Sequence, residues 1–287
     1  MVIEKYFAPK TMEEACLLLS THKSEAAVVA GGTDLMVYMK KGIALPRCVI
    51  NIGSIAGQDY ITYDAKKGLK IGAQASILSL ATSPVIRAKY GILAQAASEL
   101  GTPHIRRRAT LAGNLCNAAP SAETAPALMV LGANLKLVAT GRERTLPVED
   151  FFVGPGQTVR AFDEIVAEIG VPDLAPRSGG VYLKHTVRKA LDLAIVGVAV
   201  MVTMEGDNLR DVKIALGAVA PTPLRAKAAE AVLKGKKIND SLLQQAGQAA
   251  SDASRPIDDV RSSAEYRRKM VRVLTIRAIQ QAIEQVK

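Results

Sequence analysis

A short apolar run that ends in two adjacent glycines is the feature that most constrains this chain. The stretch VVAGGTDL at residues 28–35 predicts a strand, a Gly-Gly turn and the start of a helix. Glycine adopts positive φ and lets another group approach the backbone. Successive free N–H groups in such a turn form an anion-binding nest, and the helix start adds a favourable dipole. The glycines are not spaced as GxGxxG, so a tight turn that holds no ligand is the alternative.

A second stretch, TLAGNLCNAAPSAETAPAL at residues 110–128, holds much backbone and few large side chains. Thr110, Gly113 and Asn114 offer a hydroxyl, bare backbone and an amide. Glu123, the one acid of the stretch, can accept hydrogen bonds from the hydroxyls of a ribityl or ribose chain. Two glycine-containing polar loops in one lobe suit a ligand with a diphosphate at its middle. The alternative is a small-residue helix packed close to a neighbour, with Glu123 solvated.

The cysteines and histidines argue against a metal centre built by this chain alone. The 287 residues include three cysteines and three histidines, all widely separated and without a CxxC pair. Such a sparse set predicts neither a disulfide framework nor a zinc or iron–sulfur site. If the protein does redox chemistry, the redox centre is therefore organic or lies on another chain.

The charge balance is basic, with a formal net charge of +10. The positive residues are spread along the chain, and aromatic residues are 4% with no Trp, which leaves little for nucleic-acid bases to stack on. We therefore predict no nucleic-acid partner and a basic face for an acidic partner or an anionic cofactor. The sequence lacks a long apolar run and an apolar leader, which predicts no membrane span and a cytoplasmic protein.

Short apolar runs alternate with helical patterns in the first half of the chain, which predicts an α/β lobe. Thr11 and Glu14 form a capping-box pattern at the start of a helix over residues 11–20. A helical stretch over residues 76–100 is broken at Pro84 and Gly91, and the TPHIRRRATLAGN segment is expected to be a polar approach to the second loop. Strands are expected over residues 26–32, 47–53 and 68–75.

The segment LAPRSGG at residues 174–180, rich in Pro, Gly and Ser, predicts a domain boundary. Three apolar strands follow it, and the remainder from about residue 226 has a helical pattern. We therefore expect a small sheet backed by helices in the C-terminal third. One face of the last helix is marked by Met270, Val271, Leu274, Ile276, Ala278, Ile279 and Ile283.

Five stretches, taken in order, resemble the FAD-binding medium subunit of the molybdenum hydroxylases. This family includes carbon monoxide dehydrogenase and xanthine dehydrogenase. The stretches are KYFAPKTMEEA, AGGTDL, IRRRATLAGNLCNAAPSAETAPAL, GAVAPTPLRA and PIDDVRSSAEYRRKMVRVLTIRAI. The similarity extends over essentially the whole chain, and five matches in order are far more specific than any single motif.

The resemblance implies an α+β fold in which two α/β subdomains clamp FAD. This arrangement is the vanillyl-alcohol-oxidase-like FAD fold, and a small antiparallel sheet with helices follows it. The implied domains are an FAD-binding domain at residues 1–175, with subdomains at about 1–55 and 56–175, and a C-terminal domain of the carbon monoxide dehydrogenase flavoprotein type at 176–287.

The resemblance also implies which residues contact FAD. The two glycine loops are expected on the diphosphate and its neighbouring groups, Ile165 or Val166 near the adenine, and Lys184 near the flavin. The chain departs from the family pattern at Glu123, where Asp is usual, and at Ala112, where glycine is frequent. No catalytic acid, nucleophile or metal ligand is implied in this chain. The implied cofactor-binding set is Ala30, Gly31, Gly32, Thr33, Asp34, Thr110, Ala112, Gly113, Asn114, Glu123, Ile165, Val166 and Lys184.

The implied role is electron transfer within a complex. A large subunit carries the molybdenum cofactor, a small subunit carries [2Fe–2S] clusters, and the expected assembly is a dimer of heterotrimers. Electrons then reach FAD on this chain and leave to an acceptor such as NAD or a quinone, while the protein holds the flavin and tunes its potential. A positive Lys184 near the flavin would favour its anionic reduced state, and the alternative is an exposed lysine at a strand end.

Three other functions compete with this interpretation. A stand-alone FAD-dependent oxidoreductase would act directly on a small molecule, and a scaffold module would have lost its flavin. The retained glycine loops argue against the second of these. A nucleic-acid binder would show an affinity that falls steeply with salt.

Overall fold

The structure is a computed structural model that describes residues 3–188 and 191–286. The strands in this part of the chain are β1 Lys5–Phe7, β2 Ala26–Val29, β3 Cys48–Asn51, β4 Ile61–Asp64, β5 Gly68–Gly72, β6 Asn134–Ala139, β7 Arg142–Pro147, β8 Phe152–Gly154, β9 Gln157–Thr158, β10 Ile165–Val171, β11 Ser178–His185, β12 Val196–Glu205, β13 Asn208–Gly217 and β14 Leu224–Arg225. The α-helices are α1 Met12–His22, α2 Leu35–Lys40, α3 Ile77–Thr82, α4 Pro84–Lys89, α5 Gly91–Ser98, α6 Pro103–Arg108, α7 Leu111–Asn117, α8 Thr124–Leu131, α9 Lys227–Leu233, α10 Asp240–Ala253 and α11 Ala264–Glu284.

The first layer is a three-stranded parallel sheet in the order β1-β3-β2. Helix α1 connects two of its strands and begins where expected, because the Thr11 hydroxyl accepts a hydrogen bond from the Glu14 amide at 3.1 Å. The Glu14 carboxylate accepts from the Lys10 amide at 2.7 Å instead of from Thr11. The predicted capping box is therefore half formed, with its return bond shifted by one residue.

The second layer is a five-stranded antiparallel sheet in the order β4-β5-β10-β6-β7. The helical stretch of residues 76–100 is broken into α3, α4 and α5, as predicted from Pro84 and Gly91. Ser83 caps α4, and Pro84 occupies its first turn, where the missing N–H is not needed. The short strands β1 and β4, which have no clear apolar alternation, were not expected from the sequence.

The approach to the second loop is helical, which corrects the expectation of a polar connecting segment there. Helices α6 and α7 each begin at a threonine N-cap. The Thr102 hydroxyl accepts from the Ile105 amide at 3.0 Å, and the Thr110 hydroxyl accepts from the Gly113 amide at 3.1 Å. Pro103 adds a residue suited to the first turn. Capping at both threonines thus overrides the polar composition.

The C-terminal sheet is antiparallel, in the order β11-β12-β13-β14, and it is buried on both faces. Val198 and Val200 pack with α9, α10 and α11 on one face. Ala199 and Met201 join the core of the preceding helices, where α8 lies on the sheet. This double coverage explains why β12 is almost continuously apolar. The predicted α+β class is confirmed, whereas the domain division at residues 175 and 176 stays a prediction.

None of the helices within residues 3–188 and 191–286 is both long enough and apolar enough to cross a membrane.

Candidate functional site

A cleft of about 620 Å³ lies between the parallel sheet and the antiparallel sheet. Its volume is within the range of roughly 300–1,000 Å³ that is typical of cofactor pockets. The structure brings nearly all of the predicted site residues together around this one cleft. Those that line it are Ala30, Gly31, Gly32, Thr33, Asp34, Thr110, Ala112, Gly113, Asn114, Glu123, Ile165 and Val166.

The first loop presents a row of free amides to this cleft. Strand β2 ends at Val29, and Gly32 takes a φ of +74°, which a residue with a side chain rarely adopts. Within the described part of the chain, no hydrogen bond runs from the amides of residues 31–35 to a protein acceptor. These residues are half-buried and lie in the turn and at the start of α2, so their five consecutive free N–H groups form a cradle for an anionic ligand.

Asp34 stands at the start of α2 without acting as its cap. Its side chain accepts no hydrogen bond from the first turn of the helix. Burial raises the pKa of the Asp34 carboxyl above its ordinary value. The carboxyl therefore remains available to hydrogen-bond a ligand in the cleft.

Gly31 is required for the contact between the two loops. A Cβ atom at this position would overlap the carbonyl oxygen of Arg108 and would lie 3.0 Å from the Cα of Ala109. Arg106 braces the same turn, because its guanidinium donates to the carbonyls of Leu100 and Gly101 at 2.9 and 3.1 Å. Of the three consecutive arginines, Arg106 thus shapes the approach to the second loop.

The second loop offers fewer free groups than the sequence indicated. The Thr110 hydroxyl and the Gly113 amide are bonded to each other at 3.1 Å, and the Asn114 amide donates to the Thr110 carbonyl at 2.9 Å. The Asn114 side-chain oxygen accepts from Thr124 at 2.5 Å. The Ala112 amide, in the first turn of α7, makes no such bond within the described residues and faces the cleft. The backbone of Ala112 is therefore the clearest donor of this loop.

Lys184 is the one predicted residue outside the lining of the main cleft. Its ammonium donates to Glu123 Oε1 at 2.9 Å and to the Glu99 carbonyl at 2.8 Å. The Lys184 and Glu123 side chains are 5% and 6% exposed, which excludes the alternative of an exposed lysine at a strand end. Lys184 lines a neighbouring cavity of about 270 Å³ that shares Gly101, Leu191 and Asp192 with the main cleft.

This ion pair changes the role expected for Glu123. One carboxylate oxygen already accepts from Lys184, so the other is the freer acceptor for a ligand. Burial raises the pKa of the Glu123 carboxyl, and the Lys184 charge opposes that shift. The positive charge of Lys184 is correspondingly balanced before any cofactor is bound.

The end of the cleft away from Lys184 is apolar, and a second ion pair lies beside it. Ile165 and Val166, in β10, are both buried. The adjacent Glu164 carboxylate accepts two hydrogen bonds from Arg144, each of 2.7 Å, and a third from the Ala161 amide at 2.8 Å. Hydrogen bonding by Arg144 lowers the pKa of Glu164 below its ordinary value. The pair therefore fixes the end of the strand that would pack against a flat apolar group.

We expect Glu164→Gln to remove about 1.5 kcal/mol of stability at neutral pH, because charge-assisted hydrogen bonds are lost. Since the folded-state pKa of Glu164 lies below the unfolded value of about 4.3, its contribution is complete above that pH and is lost as the pH falls through the folded-state pKa. Urea unfolding of both proteins between pH 3 and pH 7 tests this expectation. A stability difference that does not change with pH would contradict it.

The sequence did not indicate several other residues that line the cleft. Tyr38 belongs to α2, Arg160 and Phe162 precede β10, and Leu193 precedes β12. Phe162 and Leu193 are large apolar side chains that remain 52% and 47% exposed at the cleft. No sequence pattern distinguishes them, because their position depends on how two distant segments meet.

The fold and the cleft define a protein whose two sheets enclose a site suited to an elongated phosphate-bearing ligand. Comparison with known families agrees. Residues 2–174 match the FAD binding domain in molybdopterin dehydrogenase, and residues 181–282 match the CO dehydrogenase flavoprotein C-terminal domain. The chain therefore belongs to the family of FAD-binding subunits of the molybdenum hydroxylases, and it is an oxidoreductase flavoprotein subunit.

Individual relatives support this assignment over nearly the full length. The chain is 32% identical over 278 residues to the carbon monoxide dehydrogenase medium chain of Hydrogenophaga pseudoflava, covering 97% of this chain and 96% of the relative. It is 27% identical over 279 residues to the xanthine dehydrogenase FAD-binding subunit of Escherichia coli O157:H7, covering 97% and 95%.

Solved structures show the same fold. A chain of carbon monoxide dehydrogenase from Hydrogenophaga pseudoflava superposes with a TM-score of 0.96 at 33% identity, covering 100% of both chains. A chain of quinoline 2-oxidoreductase from Pseudomonas putida 86 superposes with a TM-score of 0.91 at 26% identity, covering 98% of this chain and 97% of that one.

Proposed function

We propose that this chain holds FAD in the described cleft and serves as the electron-transfer subunit of a molybdenum hydroxylase. The observation that carries the proposal is the row of five unpaired amides at residues 31–35, which faces the 620 Å³ cleft. A diphosphate satisfies such a row because its oxygens accept several N–H bonds and its charge interacts favourably with the nest.

The remaining cleft residues fit the two ends of the same cofactor. The free Ala112 amide supplies a donor from the second loop, and the carboxyl groups of Asp34 and Glu123 accept hydrogen bonds from sugar or ribityl hydroxyls. Ile165 and Val166 give an apolar surface suited to the adenine. The cofactor-binding set predicted from the sequence is retained in full under this proposal.

FAD supplies the redox chemistry, because it accepts and releases electrons singly or in pairs. The chain's own groups hold the cofactor and set the charge around it. The Lys184–Glu123 pair places a positive and a negative group beside the cleft in nearly dry surroundings, where they act on a bound ligand more strongly than in water. Lys184 thus belongs to the flavin end, with its effect reduced by Glu123.

The complex we propose contains a large molybdenum-cofactor subunit and a small [2Fe–2S] subunit, assembled as a dimer of heterotrimers. Electrons pass from the clusters to the chain's cofactor and then to NAD, a quinone or another acceptor. Support comes from the relatives, which are named as medium chains or FAD-binding subunits of dehydrogenases. The cytoplasmic location predicted from the sequence is part of the same proposal, and cell fractionation tests it.

Isolation of the tagged chain from its own cells at low salt tests the assembly. We expect molybdenum and iron to co-purify with it, and the reduced complex to be reoxidised anaerobically by NAD or by a quinone. A chain that carries FAD but neither metal, and that oxidises a small molecule alone, would contradict the proposal in favour of a stand-alone flavoprotein. A complex that neither NAD nor a quinone reoxidises would contradict only the choice of acceptor.

A further inference from the structure

Exposed apolar side chains are concentrated in helix α2 and the loop after it, residues 35–46. Met36, Val37, Ile43 and Leu45 are 44%, 45%, 68% and 63% exposed. Single exposed apolar residues are ordinary on protein surfaces, but a cluster of four within ten residues is typical of an interaction surface. This surface is not explained by the cleft, because none of these four side chains lines it.

The same segment carries uncompensated positive charge. Its sequence, LMVYMKKGIALP, contains two lysines and no acid. Lys40 and Lys41 are exposed, and neither forms an ion pair with an acid in the described part of the chain. Arg47, which follows the segment, is by contrast held by Glu4 and Glu25. We call the surface formed by Met36, Val37, Lys40, Lys41, Ile43 and Leu45 the α2 patch.

The α2 patch is tied directly to the amide nest. The Met36 amide donates to the Gly32 carbonyl at 3.2 Å, and the Tyr38 amide donates to the Asp34 carbonyl at 2.9 Å. The loop after α2 is fixed to the helix, because the Ile43 amide donates to the Tyr38 carbonyl at 2.9 Å. A protein bound to the α2 patch would therefore lie beside the cleft and restrain the loop that forms it.

We propose that the α2 patch docks an acidic, partly apolar face of another subunit of the complex. The apolar side chains supply the buried centre of such an interface, and the two lysines select a partner of opposite charge. A second copy of this chain is a poor occupant, because it would place like charges together on a protein whose net charge is +10. This docking proposal depends on the proposed function in one respect: the partner is a subunit of the proposed molybdenum hydroxylase complex.

The test compares two double charge reversals in the complex reconstituted from co-expressed subunits. Lys40→Glu with Lys41→Glu changes the α2 patch. The control, Lys66→Glu with Lys67→Glu, makes the same charge change at another exposed lysine pair, in the turn between β4 and β5. We expect the first to weaken subunit association by about tenfold or more and the control to change it by less than about twofold. Neither should lower the melting temperature of the isolated chain, because all four side chains are exposed.

A second pair, Ile43→Ser with Leu45→Ser, tests the apolar part and should also weaken association. If both α2-patch variants associate as tightly as wild type, the docking proposal is wrong, and the electron-transfer proposal stands as long as the complex still contains molybdenum and iron. If the charge reversal instead splits a homodimer of the free chain, the occupant is a second copy and the acidic-subunit proposal is wrong. If wild type forms no metal-containing complex, both proposals fail.

Discussion

Replacement of Gly31 by alanine should lower the FAD affinity of the chain about 10- to 100-fold. The added Cβ meets the carbonyl group of Arg108 and the Cα of Ala109, which are backbone atoms that cannot rotate away. The two loops must then separate, and overpacking of this kind typically costs about 1–3 kcal/mol. Because the loops form opposite sides of the cleft, their separation moves the donors of one loop away from a cofactor held by the other, and affinity falls.

Titration of the flavin-free chain with FAD measures this effect, and Gly91→Ala is the matched control. A Cβ at Gly91 meets nothing within 4 Å, and its φ is not positive. The control should bind FAD as wild type does, and thermal unfolding shows whether Gly31→Ala still folds. Wild-type FAD affinity in Gly31→Ala would show that the contact between the loops does not shape the site.

Replacement of Lys184 by methionine should reduce the stability of the chain by about 3 kcal/mol at pH 8. The substitution leaves Glu123 buried without its counter-charge, and breaking a buried ion pair by removing one partner typically costs about 3–5 kcal/mol. The Glu99 carbonyl loses its donor as well. Urea unfolding of the flavin-free chain at pH 5 and pH 8 measures the loss.

The pH dependence of this variant has a definite sign. Burial already raises the pKa of Glu123, and removal of Lys184 raises it further because the opposing charge is lost. Between the unfolded value of about 4.3 and the raised folded value, the folded chain holds the extra proton, so stability falls as the pH rises. The variant should therefore be closer to wild type at pH 5 than at pH 8.

The double variant Glu123→Gln with Lys184→Met separates charge from packing. It removes both charges and should recover part of the stability at pH 8. Equal stability of Lys184→Met and wild type at pH 8 would contradict the account of a buried, mutually dependent pair. A double variant that is no more stable than Lys184→Met would contradict the assignment of the loss to the uncompensated charge.

Local patterns in the sequence predicted much of the fold. The breaks at Pro84 and Gly91 and the cap at Thr11 are local effects, and they occur where expected. Helix α6 was missed although Thr102 stands at its N-cap, whereas α7 lies where the sequence left a small-residue helix open as the alternative to a loop. The arginine-rich sequence of α6 indicated a polar connecting segment, and the local capping energy outweighed that composition.

The sequence predicted which residues line the cleft better than it predicted how those residues interact with one another. The Lys184–Glu123 ion pair could not be predicted, because its members lie 61 residues apart in the sequence. Sequence separation also hides the reason for Gly31, which is a contact with the backbone of Arg108. Neither contact leaves a periodic pattern or a motif in the sequence, because each forms between segments that are far apart along the chain. The free amides at residues 31–35 did follow from the Gly-Gly turn, since they depend on local geometry.

The flavin content of the purified chain tests the central claim most directly. The chain is purified alone, its visible absorption spectrum is recorded, and any released flavin is identified by mass; FAD is then added to chain that lacks it. The account predicts FAD, about one per chain, either retained from the start or taken up on addition or on assembly with the partner subunits. Protein that binds no FAD alone, after addition or within its complex would contradict the assignment of both glycine loops.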